Sequence, residues 1–208
     1  MPKVKVKRAS TTIDMTAMCD VSFLLLTFFI LTATARAPEP LPVDTPASVT
    51  QVKVPDTDLG LITVGDDGKV FFGVKDRNVR ARMLELMSEK YSVPFTDQER
   101  ARFSLIESFG VPVRTLKQLI ALDANAQTQP GLQPGIPVDS TKALSNELFH
   151  WVYSARVATK ELHNVEMRVS IKGDADEKYP AIKKVMDVLQ SQQVNKFSLI
   201  TSLKSTVE

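Results

Sequence analysis

Val21-Ser22-Phe23-Leu24-Leu25-Leu26-Thr27-Phe28-Phe29-Ile30-Leu31-Thr32-Ala33-Thr34-Ala35 carries no charge, and its reading decides what kind of chain this is. The run is fifteen residues long. A helix that crosses a bilayer needs about 20 residues at about 1.5 Å each. Extending the run back to Thr16 supplies the length and takes Asp20 into the span. No proline interrupts it before Pro38. The segment 16–36 is therefore expected to be a transmembrane helix. Lys3, Lys5, Lys7 and Arg8 precede it, and only Arg36 follows closely. Cationic flanks stay on the cytoplasmic side. Residues 1–15 are thus expected in the cytoplasm, with the rest of the chain beyond the membrane.

A secretory signal peptide is the competing reading. It too has a basic start, an apolar run and a small-x-small site, here Ala33-Thr34-Ala35. Two features oppose it: Asp20 stands at the boundary of the run, and the run begins late, some way after the basic residues.

Asp20 is the residue to explain. A carboxylate at mid-helix depth costs about 2.5–3.5 kcal/mol on insertion scales, and such residues mark ion or proton pathways. Alternatively Asp20 sits at the headgroup boundary and the helix starts after it. Thr16, Asp20, Thr27 and Thr34 step by 4, 7 and 7, which places them on one stripe of a helix. The other faces are mainly Phe, Leu, Ile and Val. A polar stripe on such a helix should face protein or water rather than lipid.

The remaining composition is ordinary. The chain has 208 residues and a net charge of +2. That allows one folded domain of about 100–150 residues plus extra segments, and it offers no basic excess for nucleic acid. The single cysteine, Cys19, excludes a disulfide framework within the chain and a cysteine-rich zinc site. His150 and His163 read as surface or half-buried histidines. No phosphate loop, Ser/His/Asp grouping or metal-ligand spacing is present, so neither an enzyme nor a cofactor is expected.

Residues 37–58 read as a linker. Pro38, Pro40, Pro42, Pro46 and Pro55 favour extended polyproline geometry. A short strand at Val49–Val54 is the alternative to a plain tether. A domain is expected over 59–208. LGLITV (59–64) and KVFFGV (69–74) flank Gly65-Asp66-Asp67-Gly68, a hairpin pattern. A helix is predicted at Asn78–Lys90, with Val79, Met83, Leu86 and Met87 on one face. Thr96-Asp97-Gln98-Glu99 is a capping box, expected to open a helix that Gly110 ends. A shorter helix follows at Val113–Leu122, and residues 123–139 read as a loop. Leu144, Leu148, Trp151, Ala155 and Ala158 form a helical stripe, with Trp151 a core residue. Val165–Lys172 alternates as a half-buried strand. Asp174 and Asp176 lie in an exposed turn. Pro180 suits the first turn of a helix whose core face is Ile182, Val185, Met186 and Leu189. Lys196–Leu203 is a last strand. The fold class expected is α+β, with residues 92–141 a helical and loop insertion of unassigned purpose.

Ile13-Asp14-Met15-Thr16-Ala17-Met18-Cys19-Asp20-Val21, followed by Leu24-Leu25-Leu26-Thr27-Phe28-Phe29, resembles the signature of the ExbD/TolR family. There a hydrophobic-x-hydrophobic-Thr-Pro-hydrophobic-x-Asp-Val motif opens a Leu/Phe-rich helix. Thr16 falls on the family threonine and Asp20 on its membrane aspartate, while Ala17 replaces the usual proline. Val169-Ser170-Ile171-Lys172-Gly173-Asp174, Tyr179, Lys183-Lys184-Val185-Met186-Asp187-Val188-Leu189 and Lys196-Phe197-Ser198-Leu199-Ile200-Thr201 resemble the family's distal part. The resemblance implies the small, single-pass subunit of a proton-driven motor in the bacterial inner membrane. Two copies would sit inside a pentameric ring of an ExbB/TolQ-like polytopic protein. Asp20 would carry the proton, with Thr16 and Thr27 supporting its path. A periplasmic domain would pass work to a TonB- or TolA-like protein. An ExbD-like nutrient-import role is expected, with a TolR-like role in envelope integrity, or a secreted or anchored binding module, as alternatives.

Overall fold

In the computed structural model of the protein, the described residues are 15–33, 39–48, 57–65, 68–129, 131–138, 146–175, 177 and 179–203. The expectations for Lys3, Lys5, Lys7, Arg8, Thr34, Arg36, the Val49–Val54 strand, Asp66-Asp67, Leu144 and Asp176 lie outside them. The chain forms two compact units, 1–37 and 38–208.

The first unit holds helix α1, Met15–Thr32. Its 18 residues make a rod of about 27 Å. No glycine or proline breaks it, and it buries no residue. Phe23, Leu24, Phe28, Phe29 and Ile30 are all at least 59% exposed, so the apolar surface runs around the helix. A helix apolar on all sides requires lipid or partner helices to cover it.

The second unit is built on a five-stranded sheet in the order β4-β3-β2-β5-β6. β2 (Leu59–Gly65) and β3 (Lys69–Val74) form the expected antiparallel hairpin. β5 (Arg168–Gly173) lies parallel to β2, and β6 (Phe197–Ile200) lies parallel to β5. Parallel neighbours need a crossover, and α7 (Tyr179–Ser191) connects β5 to β6. Alternation along paired strands places Ile62, Val64, Val70, Phe72, Val74, Val169 and Ile171 on one face. These residues are buried in one core with residues of α2 (Arg77–Tyr91) and α6 (Glu147–His163). Asp76 starts α2 by accepting the amides of Asn78 (2.6 Å) and Val79 (3.1 Å). Ser92 and Asn164, both left-handed, end α2 and α6. Trp151 is fully buried; its ring stacks on Phe103 at 6.1 Å and meets Phe109 edge-on at 4.7 Å.

Between α2 and α6 the chain adds a strand to the β3 edge of this sheet. The Thr96 capping box forms as expected and opens α3, Asp97–Phe103. The helix stops there rather than at Gly110, because Ser108–Phe109 forms β4 and pairs with Phe72 and Gly73. A Cβ at Gly73 would stand 2.3 Å from the Glu107 carbonyl, so glycine lets β4 approach. α4 (Leu116–Ala121) and α5 (Ala124–Gln127) follow. The chain then returns to the sheet, where the Ile136 amide donates to the Val70 carbonyl at 2.7 Å. Gln133, buried, holds the return in place by accepting from the Gly110 amide at 2.6 Å and donating to the Gln127 carbonyl at 2.8 Å. Glu147, in the first turn of α6, accepts the Val113 amide at 2.5 Å.

The structure differs from the linker expectation over 39–48. Pro40 is buried. Leu41 and Val43 occupy the space that a Cβ at Gly65 would fill, 2.8 and 2.7 Å away. The Ala175 amide donates to the Asp44 carbonyl at 2.8 Å, and Lys172 pairs with Glu39 at 2.6 Å. Ala47–Ser48 (β1) pairs parallel with Ser202–Leu203 (β7) in a separate two-stranded sheet. The last strand is accordingly split at Thr201, with β6 in the main sheet and β7 paired with β1 of this strap over 39–48. Prolines keep this segment extended, and its apolar residues at every second position give it one face to dock. His150 also departs from a surface reading: it is buried, with Phe149 and Tyr91 rings edge-on at 5.4 and 5.9 Å.

Candidate functional site

The sequence-derived candidates all lie on α1. Successive residues turn by about 100°, so Thr16 lies about 40° and Thr27 about 20° around the axis from Asp20. The three share one face, and Asp20 is the only charged residue of the helix. Thr27 does not reach the carboxylate directly, however. Thr27 is seven residues from Asp20, or about 10.5 Å along the axis, beyond a direct hydrogen bond. Its hydroxyl donates to the Leu24 carbonyl at 3.0 Å. That leaves the oxygen as an acceptor toward the outside. Thr16 is one turn away, near enough to share water or a partner group with the carboxylate. Ser22 and Thr32 return their hydroxyls to Met18 and Phe28 carbonyls and lie off this face. Asp20 is thus the exposed ionisable group on an otherwise apolar rod.

The family model for the biopolymer transport protein ExbD/TolR matches residues 6–204. The chain belongs to the ExbD/TolR family. Comparison with curated proteins and with solved structures returned no match. The match spans α1 and the sheet domain together. Membership makes the chain a component of a biopolymer-transport proton motor, of a family anchored in the inner membrane. α1 is the candidate anchor, apolar along 18 residues near the N-terminus. The family consists of transport components rather than enzymes, working with ExbB/TolQ-type and TonB- or TolA-type proteins.

A second polar cluster escaped the sequence reading. His163, the last residue of α6, has Asp58 at its Nδ1 and the Asp76 Oδ2 at 3.5 Å from its Nε2. The hydrogen bond to Asp58, reinforced by the charges of Asp58 and Asp76, raises the His163 pKa above the usual histidine range. The three residues are 105 and 18 positions apart in the chain, and only the fold brings them together. The sequence reading did not single out Asp76 either, although it stands directly before the predicted helix, where a capping acid is common.

Proposed function

We propose that this chain is an ExbD-like subunit in which Asp20 carries protons across the inner membrane. Its N-terminus is cytoplasmic and residues 38–208 form a periplasmic domain. Two copies sit within an ExbB/TolQ-like ring, and their domains pass work to a TonB-like protein that energises outer-membrane transport. The observation that carries this reading is a lone carboxylate on an exposed apolar helix, with Thr16 and Thr27 on its face. A tether has no use for such an acid, because it only lowers membrane affinity. One proton crossing 100 mV releases about 2.3 kcal/mol, so a few protons per stroke suffice to rearrange a packed interface.

The test is uptake of a substrate that requires the membrane potential, in cells carrying variants at equal protein levels. Asp20→Asn keeps shape and removes titration; it is expected to assemble normally and abolish uptake. Asp20→Glu is expected to retain part of it. Wild-type uptake together with an intact envelope in the Asn variant rejects the proton-carrier role. Envelope leakage in that variant with normal uptake assigns the chain to the TolR-like job instead.

A further inference from the structure

A neutral imidazole has one N–H, so it can donate to only one of two flanking carboxylates; an imidazolium donates to both. His163 has a carboxylate at each ring nitrogen, Asp58 at Nδ1 and Asp76 at Nε2. The carboxylates stand on opposite edges of the ring, so they do not converge on a single metal ion. They belong to different elements. Asp58 is a left-handed residue (φ 55°) at the entrance to β2, and its carbonyl accepts the Arg168 amide of β5 at 2.9 Å. Asp76 uses its other oxygen, Oδ1, to cap α2. His163 itself ends α6, where a helix terminus favours a cation.

We propose that His163 is a pH-sensitive latch: as imidazolium it ties the C-terminus of α6 to the entrance of β2 and to the cap of α2, and on losing its proton it releases one of them.

The charged groups acting on the ring are Asp58 from the β2 entrance, then Asp76 from α2. On its own helix Lys160 lies one turn back, while Glu161 is taken by Arg82 at 2.8 Å. Arg168 of β5 reaches the cluster through its amide. The side chains of His163, Asp58 and Asp76 are 32%, 21% and 31% exposed, so solvent protons reach the ring directly. The sign follows from the direction of the shift. The folded pKa lies above the unfolded value, which is about 6.5. The latch therefore contributes fully below that value and is lost as pH rises through the folded pKa. The latch lies at the point where the chain enters the sheet domain, and it is independent of what Asp20 does.

The experiment is hydrogen–deuterium exchange on the full-length protein in detergent micelles, comparing wild type with His163→Gln at each pH. Peptides covering Asp58–Leu61, Asn78–Arg80 and Arg168–Ser170 are the readout. At about pH 5.5, an order of magnitude below the unfolded histidine range, the wild type is expected to exchange several-fold more slowly than the variant. The difference is expected to shrink as pH rises through the folded pKa, because the neutral ring keeps only one of its two partners. Asp58→Asn removes one partner without removing the ring. The imidazole proton resonance of His163 should titrate above the ordinary histidine value in wild type and shift down in Asp58→Asn. Identical exchange of wild type and His163→Gln at every pH, or a His163 midpoint at or below the ordinary value, overturns the latch.

Discussion

Arg80 is a buried cation that finds its partners in backbone oxygens. Its guanidinium donates to the Ser104 carbonyl at 2.6 and 2.9 Å, to Val74 at 2.7 Å and to Lys75 at 3.1 Å. It is 5% exposed, and that burial lowers its pKa against the opposing pull of Glu107 and Asp76. The side chain thus fastens the end of β3 and the turn after α3 to α2. A buried carbonyl left without a donor costs about 1–3 kcal/mol. Arg80→Met, which keeps much of the volume, is expected to destabilise the domain by about 3 kcal/mol in a denaturant titration, since it orphans the buried Ser104 and Val74 carbonyls. A loss below about 1 kcal/mol, the size of an ordinary surface change, would show that water satisfies those oxygens. Arg80 lies 3, 4 and 7 residues before Met83, Leu84 and Met87, on the buried face of α2, but nothing nearby in sequence says that backbone carbonyls satisfy a cation there. The same holds for His163, whose partners are remote in sequence. Asp20 was legible because its neighbours, not distant residues, make it anomalous.

The strap over 39–48 depends on Gly65. Leu41 and Val43 fill the place of its absent side chain, so Gly65→Val must displace them. Such a displacement removes two apolar contacts and leaves the Ala175–Asp44 backbone bond, the β1–β7 pairing and the Glu39–Lys172 pair, which is more than half exposed at Glu39 and worth less than about 1 kcal/mol. Gly65→Val is expected to raise exchange across residues 40–48 while leaving α2 and α6 protected. Unchanged exchange in that peptide would mean the strap is held elsewhere. The hairpin, the crossover helix and the capping box of α3 were legible because each rests on local chemistry: a Gly-Asp-Asp-Gly turn between two apolar runs, a proline at a helix start, a Thr-x-x-Glu spacing. β4 was not. Ser108-Phe109 is too short to show a period, and its partner, Phe72-Gly73, lies more than thirty residues back. The strap was hidden for a related reason. Proline-rich sequence specifies an extended chain, and whether that chain docks depends on the sheet it meets.

At the scale of the whole molecule, a long, exposed, mainly apolar helix and a folded α+β domain on one chain describe an anchored machine part. If the anchor is retained, N-terminal sequencing of the membrane-bound protein returns residues before Arg36; a mature chain starting at Arg36 would establish a cleaved signal instead. Two polar-striped helices facing one another satisfy an acid that one helix leaves exposed. Native mass spectrometry of the complex purified through a tag on this chain is therefore expected to give two copies per assembly, and a single copy would contradict that stoichiometry. Everything in this reading converges on Asp20, and proton movement reports on it most directly. The measurement is acidification of liposomes containing the purified complex, driven by an imposed potential and read by a trapped pH-sensitive dye. Proton entry that is present in wild type, reduced in Asp20→Glu and absent in Asp20→Asn is the predicted result; equal entry in wild type and Asp20→Asn would contradict it.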